Sequence, residues 1–464
     1  MLSRRMAATI PSLVDAPDDS RTQAGRSFFP LALLFAINTV NFYDRQVLGV
    51  LTEPIRQEFG LSDRAIGTLG TAFILFYAVA GLPLGRLCDV AARKWVLSAG
   101  TFLWSLATLA AYWAGSFAGL FASRVAVGVG EAACSPAASS LIGDIIPAER
   151  RGRALSIFML GLPAGIALSF YVSSRVASAH GWRAAFLVAG LPGLLLSVAA
   201  LALKEPVRGA ADRGRGAPPD LTSPTISLGS SIALLLRNPT IRWIAVSGIF
   251  LNFNMYALGI FLTAYLRRHH ELPLAQAGDA MVAIYGLSGL PGLLAGGRVA
   301  DLVAGKGARN RLLVAAGSIL VSAPLAYLSL EQDRGHWLAF SFLMGFACLF
   351  QYVYYSTVYP AIQDLVEPRL RGMAMAVYFA VMYFGGGALG PFLTGALSDH
   401  FTRAAAEKAG IVDLAAAALE PFKAEGLRSA LGIVPILSLV LAGVLFAAAM
   451  SARSDSEPKE VMNP

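Results

Sequence analysis

The sequence predicts an all-α polytopic membrane protein, with twelve transmembrane helices arranged in two pseudo-symmetric six-helix halves. Of its 464 residues, 56% are hydrophobic and only 14% are charged, whereas about a quarter of a soluble domain is charged. Apolar runs of roughly 20 residues, the length of a bilayer-spanning helix, recur along the chain. Two loop motifs occur twice. A β-barrel is not expected, because alternation with a period of two residues is nowhere sustained.

The apolar runs between charged loops define the predicted helices 1 to 12. They cover 28–51, 64–84, 95–113, 117–142, 152–174, 183–203, 240–266, 277–297, 311–330, 336–361, 371–397 and 428–451. The predicted domains are an N-terminal tail at 1–27, a first half at 28–203, a linker at 204–239, a second half at 240–451 and a C-terminal tail at 452–464.

The segments outside the helices also carry predictions. The tail 1–27 lacks the apolar core of a signal peptide, so helix 1 is expected to act as an uncleaved insertion signal. The linker is rich in Pro, Gly, Ser and charge, with a short surface helix expected at 231–239. Part of the outer loop 400–427 is expected to be helical.

The distribution of basic residues predicts the orientation. Loops on one side of the membrane, together with both tails, contain 24 of the 37 Lys and Arg residues. The opposite loops contain 11, among them Arg56 and Arg268. Basic loops stay in the cytoplasm, so both termini are expected there, in the inner membrane if the protein is bacterial. The net charge of +8 then reflects topology, and no nucleic acid partner is expected. Cys88, Cys134 and Cys348 show no paired spacing, so neither a disulfide nor a metal site is expected.

Two pairs of loops reveal an internal duplication. DIIPAERRGRA (144–154) matches DLVEPRLRGMA (364–374), and GRLCDVAARK (85–94) matches GRVADLVAGK (297–306). The same motif after helices 2 and 8 indicates that the second half repeats the first.

These motifs carry a family resemblance. GRLCDVAARK resembles the helix 2–3 loop signature of the major facilitator superfamily, although Ala92 stands where a second glycine is usual, and RVAVGVGEA (124–132) resembles its helix 4 motif. NFYDRQVLGVLTEPIRQEFGLSD, GVGEAACSPAASSLIGDIIPAERRGRA and GALGPFLTGALSD resemble its spinster-like branch. That branch is associated with export of lysophospholipids and sphingosine phosphate.

The resemblance implies secondary transport by alternating access, with a cytoplasmic latch that holds the two halves together in the outward-facing state. Gly85 is expected to permit close helix approach, and the other latch residues are charged. They are Asp89, Arg93, Lys94, Glu149, Arg151, Arg153, Asp301 and Arg371. The alternative is that the basic residues are present only because of topology.

Four ionisable residues lie within predicted helices, where charge is costly and usually functional: Asp44, Arg45, Arg124 and Glu131. By helix geometry Asp44 and Arg124 lie at similar depth and can pair, with Glu131 two turns below on the same face. Glu131 has no obvious partner. Arg45 points about 100° away from Asp44 and ranks below Arg124 as a ligand. We therefore predict proton coupling through Asp44, Glu131 and Arg124, the alternative being a buried structural ion pair.

The second half offers no equivalent charges, since Gln351 stands where Glu131 does in the first half. Its helices 7, 10 and 11 are instead rich in tyrosine and amides. A headgroup on the charged half and a tail along the aromatic half would suit an amphiphile. The predicted substrate-binding residues are Arg124, Glu131, Asn38, Asn252, Tyr352, Tyr355, Tyr359 and Tyr383. Ordinary helix packing is the alternative for each tyrosine.

The predicted function is therefore a monomeric secondary transporter that is driven by the proton gradient, requires no cofactor and moves a lysophospholipid-like or sphingoid-phosphate-like amphiphile. The alternative within the class is a multidrug or organic-anion antiporter with proton coupling. An enzyme is not expected, because the sequence has no HExxH, Walker A or GxSxG motif. A channel is disfavoured by the twofold repeat.

Overall fold

A computed structural model describes residues 19–207, 228–303, 307–367, 370–411 and 415–452, and this part of the chain is helical with no strand. Residues 1–18, most of the linker (208–227), three short loop segments (304–306, 368–369 and 412–414) and residues 453–464 lie outside the described residues. We call the end that carries the basic loops the cytoplasmic end, and the opposite one the outer end, following the predicted orientation.

The first half contains helices 1 to 6. Helix 1 is Asp19–Phe59, helix 2 is Asp63–Val90, and helix 3 is Arg93–Ala110 followed by a 3₁₀ turn at Ala111–Trp113. Helix 4 has two segments, Phe117–Glu131 and Cys134–Ile145. Helix 5 comprises Ala148–Met159, Gly161–Leu168, a π-helical turn at Ser169–Ser173 and Ser174–His180, and helix 6 is Trp182–Leu201.

The second half contains helices 7 to 12, preceded by the short helix Leu228–Arg237 where a surface helix is predicted. Helix 7 is Pro239–Arg268, and helix 8 is Leu274–Met281 and Ser288–Leu302 around a π turn at Val282–Leu287. Helix 9 is Gly307–Leu330, helix 10 is Trp337–Leu365, and helix 11 is Arg371–Met382 and Leu389–Lys408 around a π turn at Tyr383–Gly387. After Ala416–Leu419 and a 3₁₀ turn at Glu420–Phe422, helix 12 is Lys423–Leu431 and Ile433–Ser451.

Eleven helices of the described chain are long and apolar enough to cross a membrane, and they correspond to predicted helices 2 to 12. The predicted first span, 28–51, lies within helix 1, which is less apolar because it carries Asn38, Asn41, Asp44 and Arg45. The predicted fold class is thus confirmed.

Several helices extend further than predicted at the outer end, and helices 1 and 11 show the reason. Helix 1 continues eight residues beyond 51, because Glu53 and Arg56 neutralise each other and remain buried in the helix. Helix 11 continues to Lys408, because Ser398 and Thr402 are buried against the start of helix 12. The outer loop is consequently shorter and more helical than the sequence indicates.

The two halves meet closely at the outer end. Helix 1 packs on helix 7, helix 2 on helix 11, and helix 5 on helix 8. A Cβ atom on Gly49 would collide with the carbonyl of Gly259, and one on Gly67 with the carbonyl of Pro391. Glycine is therefore required where these backbones approach.

The sequence repeat reappears as repeated bonding at the cytoplasmic end. Arg151 donates from Nη2 to the carbonyl of Gly143 at 2.7 Å, and Arg371 donates from Nε to the carbonyl of Gln363 at 3.1 Å. Donors and acceptors both differ by 220 positions, the offset of the two loops. Each arginine ties the start of its helix, 5 or 11, to the end of the preceding one.

Candidate functional site

The first element of the central site is the ion pair of Asp44 and Arg124. Oδ1 of Asp44 lies 3.6 Å from Nη1 of Arg124, and both side chains are almost fully buried. Thr108 on helix 3, which the sequence analysis did not single out, donates its hydroxyl hydrogen to Oδ2 of Asp44. The structure thus places together the two residues that were matched by depth.

The second element corrects the sequence interpretation. Glu131 was expected to lack a partner and Arg45 to point elsewhere, but Nε of Arg45 lies 2.8 Å from Oε2 of Glu131. The long Arg side chain extends along the helix and reaches a level that Cα depth alone does not indicate. Oε1 of Glu131 is buried and accepts no hydrogen bond within the described chain.

Arg45 is surrounded by aromatic rings. Its guanidinium carbon lies 4.4 Å from the ring centre of Tyr77, 4.9 Å from that of Phe42 and 5.6 Å from that of Phe73. Rings within about 6 Å attract a cation through their quadrupole. They can therefore hold Arg45 in place when its carboxylate partner is neutralised.

The two central arginines open onto one small space between the halves. A pocket of about 20 Å³ is bordered by Arg45 and Arg124 on one side and by Tyr256 and Ile260 of helix 7 on the other. That volume accommodates about one water molecule. Little open space therefore borders the two arginines in this conformation.

The predicted tyrosines of the second half form one continuous wall. Ring centres are 6.1 Å apart for Tyr352 and Tyr355 and 5.5 Å apart for Tyr355 and Tyr359. Through Phe379 the wall continues to Tyr383, which lies 5.5 Å from Tyr77. The aromatic wall thus ends beside Arg45. Tyr383 lies in a π-helical turn, a feature frequent at functional sites.

Two predicted binding amides are engaged with backbone. Nδ2 of Asn38 donates to the carbonyl of Phe158 at 2.7 Å, next to the interruption of helix 5. Nδ2 of Asn252 donates to the carbonyl of Gly248 on its own helix at 3.3 Å. Gln351, the counterpart of Glu131, donates to Oγ of Ser322 at 3.3 Å. These contacts give both asparagines a structural role in this conformation.

A buried charge network, which we call the outer gate, joins the halves at the outer end. Arg268 of helix 7 donates to both carboxylate oxygens of Asp63 at 2.7 and 2.8 Å and to Glu53 at 2.7 Å. Arg56 pairs with Glu53 and with Glu420, which precedes helix 12. The gate closes the path between the central site and the outer end.

The gate was not predicted, because Arg56 and Arg268 were counted as loop charges. Helix 11 completes it: Ser398 donates to Asp63 at 2.7 Å, and Asp399 accepts from the backbone N–H of Asp63 at 3.0 Å. One signal was available. The tripeptide Leu-Ser-Asp occurs at both 61–63 and 397–399, the two segments that meet here.

At the cytoplasmic end, Arg93 is the centre of the bonding. It is fully buried and pairs with Asp144 and, at 2.8 Å, with Glu205. Partial burial raises the pKa of Glu205, but hydrogen bonds from the backbone N–H of Lys94 and from Arg93 outweigh it and hold that pKa below its usual value. Glu205 therefore caps the start of helix 3.

The other predicted latch residues are less engaged. A Cβ on Gly85 would meet open space, so no helix approaches closely there in this conformation. The side chains of Arg153 and Asp301 are exposed, and those of Asp89 and Glu149 lie outside the described residues. The described partners of Arg93 belong to the first half and to the start of the linker. The latch is expected in the outward-facing state, and this structure is closed at the outer end. The latch across the halves therefore stays a prediction.

Comparison with known proteins agrees with this architecture. The family model of the Major Facilitator Superfamily matches residues 34–391. Protein spinster homolog 1 of Homo sapiens is 32% identical over 401 residues, covering 82% of this chain and 74% of that protein. An MFS-type efflux pump of Mycolicibacterium smegmatis is 30% identical over 396 residues, covering 84% and 88%.

A solved structure is similar as well. It is a bacterial homolog of the human lysosomal transporter Spinster, in an inward-facing and unoccupied conformation. The TM-score is 0.79 at 25% identity, covering 92% of this chain and 97% of that one. The chain belongs to the major facilitator superfamily, in its spinster-like branch, and is a multi-pass membrane transporter rather than an enzyme.

Proposed function

We propose that the chain is a proton-coupled secondary transporter of an amphiphilic lipid-like molecule, such as a lysophospholipid or a sphingoid phosphate, acting by alternating access as a monomer. The observation that carries this proposal is the Arg45–Glu131 pair. It is a buried ion pair within the membrane, beside a second ion pair and at the end of an aromatic wall.

The pair supports a coupling in which the Glu131 carboxylate and the substrate anion compete for Arg45, so that a proton on Glu131 favours anion binding. A buried carboxylate is strongly stabilised by its cation, and without it the neutral acid is favoured. Protonation of Glu131 releases Arg45, which the rings of Phe42, Phe73 and Tyr77 keep in place. The released guanidinium can then donate two parallel hydrogen bonds to a phosphate. Loss of the proton restores the pair and expels the anion.

The second ion pair has a different role in this proposal. Asp44 accepts from Thr108 and lies beside Arg124, so it has two partners where Glu131 has one. We assign to Asp44 and Arg124 a second site, where Asp44 can bind a proton and Arg124 can bind an anion. This site is used when the substrate approaches from the pocket that Arg45 and Arg124 border.

The aromatic wall supports an amphiphilic substrate. An apolar tail can lie along Tyr355 and Tyr359 while the headgroup reaches Arg45, because the wall runs without a break to Tyr383 and Tyr77. Tyr352 is buried against Gly289 and Gly292 of helix 8 and has a packing role in this conformation. Tyrosine gives an apolar body with a polar tip, which suits the boundary between tail and headgroup. A small polar solute would leave this wall unused.

A relative of comparable similarity keeps the alternative function in view. The mycobacterial relative, similar in identity and coverage to the spinster homologs, is an efflux pump. A multidrug or organic-anion antiporter would use the same charges and the same wall. The two are separated by substrate competition.

The test of the proposed substrate class is ligand binding by the purified full-length chain, measured as a thermal shift. Lysophosphatidate, a sphingoid phosphate, drug cations, sugars and amino acids are compared with monoacylglycerol, which has the tail without the phosphate. We expect the phosphate amphiphiles alone to raise the Tm of the wild type, and we expect no such rise in Arg45→Gln. Stabilisation by drug cations alone would establish the alternative.

The coupling step has its own test. Binding of the phosphate amphiphile should strengthen as the pH falls, because a proton on Glu131 frees Arg45. In Glu131→Gln, which is permanently neutral, binding should be tight at every pH. A wild-type affinity that does not vary with pH would refute the competition.

A further inference from the structure

A groove on the membrane-facing surface lies far from the central charges. It has a volume of about 880 Å³ and lies between the outer parts of helices 9 and 12. Its lining shares no residue with the central pocket or with the outer gate. A groove of this volume is within the range of small-molecule sites.

The floor of the groove is apolar and matches one leaflet in length. Leu320, Tyr327, Ile436 and Leu439 line it and are each more than half exposed in the isolated chain, so the bilayer must cover them. From Leu330 at the outer end to Leu320 is ten residues of helix, about 15 Å. That is half of the roughly 30 Å hydrocarbon core.

The outer end of the groove is polar, and some of its hydrogen-bonding groups remain available to a ligand. Arg428 donates from Nε to the carbonyl of Leu330 at 2.8 Å and from Nη2 to Glu331 at 3.0 Å, which leaves Nη1 available. In the described chain, Glu425 and Ser429 line the same end with exposed side chains that make no hydrogen bond. A cation, a hydroxyl and two carboxylates therefore face one opening.

We propose that this groove binds a phospholipid with a phosphoethanolamine headgroup. The phosphate accepts from Nη1 of Arg428 and from the hydroxyl of Ser429, and the primary ammonium donates to Glu425 and Glu331. One acyl chain fills the groove down to Leu320. The charge pattern selects against an anionic headgroup, which the two carboxylates repel, and against choline, which has no N–H to donate.

The geometry also argues against other occupants. The groove opens sideways at the level of one leaflet, where lipid is the surrounding solvent, so an acyl chain fits it without leaving the membrane. The bound lipid is a resident of the surface rather than cargo, since the groove has no connection to the central site through shared residues.

The test uses the full-length chain in detergent, titrated with phosphatidylethanolamine, phosphatidylcholine and phosphatidylglycerol of matched acyl chains and followed by native mass spectrometry. The wild type should take up phosphatidylethanolamine at the lowest concentration. Glu425→Gln should weaken that uptake about fivefold, the upper range for an exposed charge pair. Glu407→Gln, an equally exposed outer carboxylate on helix 11, is the matched control and should have no effect.

A second variant tests the groove without touching the headgroup site. Leu439→Trp should fill the groove and abolish the uptake, whereas Leu195→Trp, at a lipid-exposed position on helix 6, should not. Equal uptake of phosphatidylethanolamine and phosphatidylcholine by the wild type would overturn the proposal. Unchanged uptake of phosphatidylethanolamine by both Glu425→Gln and Leu439→Trp would also overturn it.

Discussion

Replacing Arg268 with Ala should open the outer gate. The change removes three hydrogen bonds of 2.7 to 2.8 Å and leaves the carboxylates of Glu53 and Asp63 without their shared cation. Breaking a buried ion pair costs about 3–5 kcal/mol. Arg56 still pairs with Glu53 and Ser398 still donates to Asp63, so we take the lower value. About 3 kcal/mol corresponds to a shift of roughly a hundredfold toward the outward-open state.

The assay is double electron–electron resonance between spin labels at Trp113 and Asp333, which lie at the outer ends of the two halves. A longer distance should become predominant in Arg268→Ala. The control is Arg334→Ala, because Arg334 and its partner Glu271 form an outer ion pair with 66% and 70% of their side chains exposed. Such a pair contributes about 0–1 kcal/mol at most. An unchanged distance distribution in Arg268→Ala, or an equal change in the control, would refute the gate.

Three further predictions follow from other parts of the structure. Gly67→Val should also favour the outward-open state, because the valine Cβ would collide with the opposing backbone. Gly81→Val on the same helix is the control, because a Cβ there meets open space. The same spin-label distance should lengthen in the first variant and not in the second. Tyr355→Ala should weaken binding of a long-chain phosphate amphiphile about tenfold while leaving glycerophosphate binding unchanged, because the proposed binding mode places this ring against the tail alone. Burial lowers the pKa of His269 and His270 in the folded protein. The stability that the two neutral rings contribute is complete above about pH 6.5, the usual histidine pKa, and is lost as the pH falls through their lower folded pKa. The fall in Tm between pH 7.5 and 5 should therefore be smaller in the variant with Gln at both positions.

The fold could be predicted from the sequence because a bilayer dictates helix length and the repeat dictates two halves. Helices 2 to 12 were identified from apolar runs alone, and their bounds differ mainly where tertiary contacts extend a helix. Helix 11 is such a case, since its polar end from Ser398 to Lys408 is stabilised by the start of helix 12. No local signal in the sequence specifies that contact.

The central site was predicted in part, for a physical reason. Depth along a helix follows from residue number, so Asp44 and Arg124 could be matched. The direction and reach of a long side chain depend on how helices 1 and 4 rotate against each other, which periodicity does not give. Arg45 was therefore left unassigned, although it is the partner of Glu131.

The outer gate shows the same limit. Arg56 and Arg268 were read as loop charges because the positive-inside rule counts residues without regard to their partners. The carboxylate partners of Arg268 lie on helices 1 and 2, more than 200 positions away in sequence. Glu420, one partner of Arg56, precedes helix 12. Only the packed fold brings them together.

Proton-driven transport in proteoliposomes, measured with a phosphate amphiphile that the wild type binds, directly tests the coupling role of the Arg45–Glu131 pair. In the wild type, an imposed pH gradient should accelerate transport, because Glu131 must gain and lose a proton in each cycle while Arg45 binds and releases the anion. In Glu131→Gln, exchange without a gradient should persist and the acceleration should vanish. An equal response to the gradient in Glu131→Gln and wild type would contradict the central claim that the Arg45–Glu131 pair couples protons to substrate.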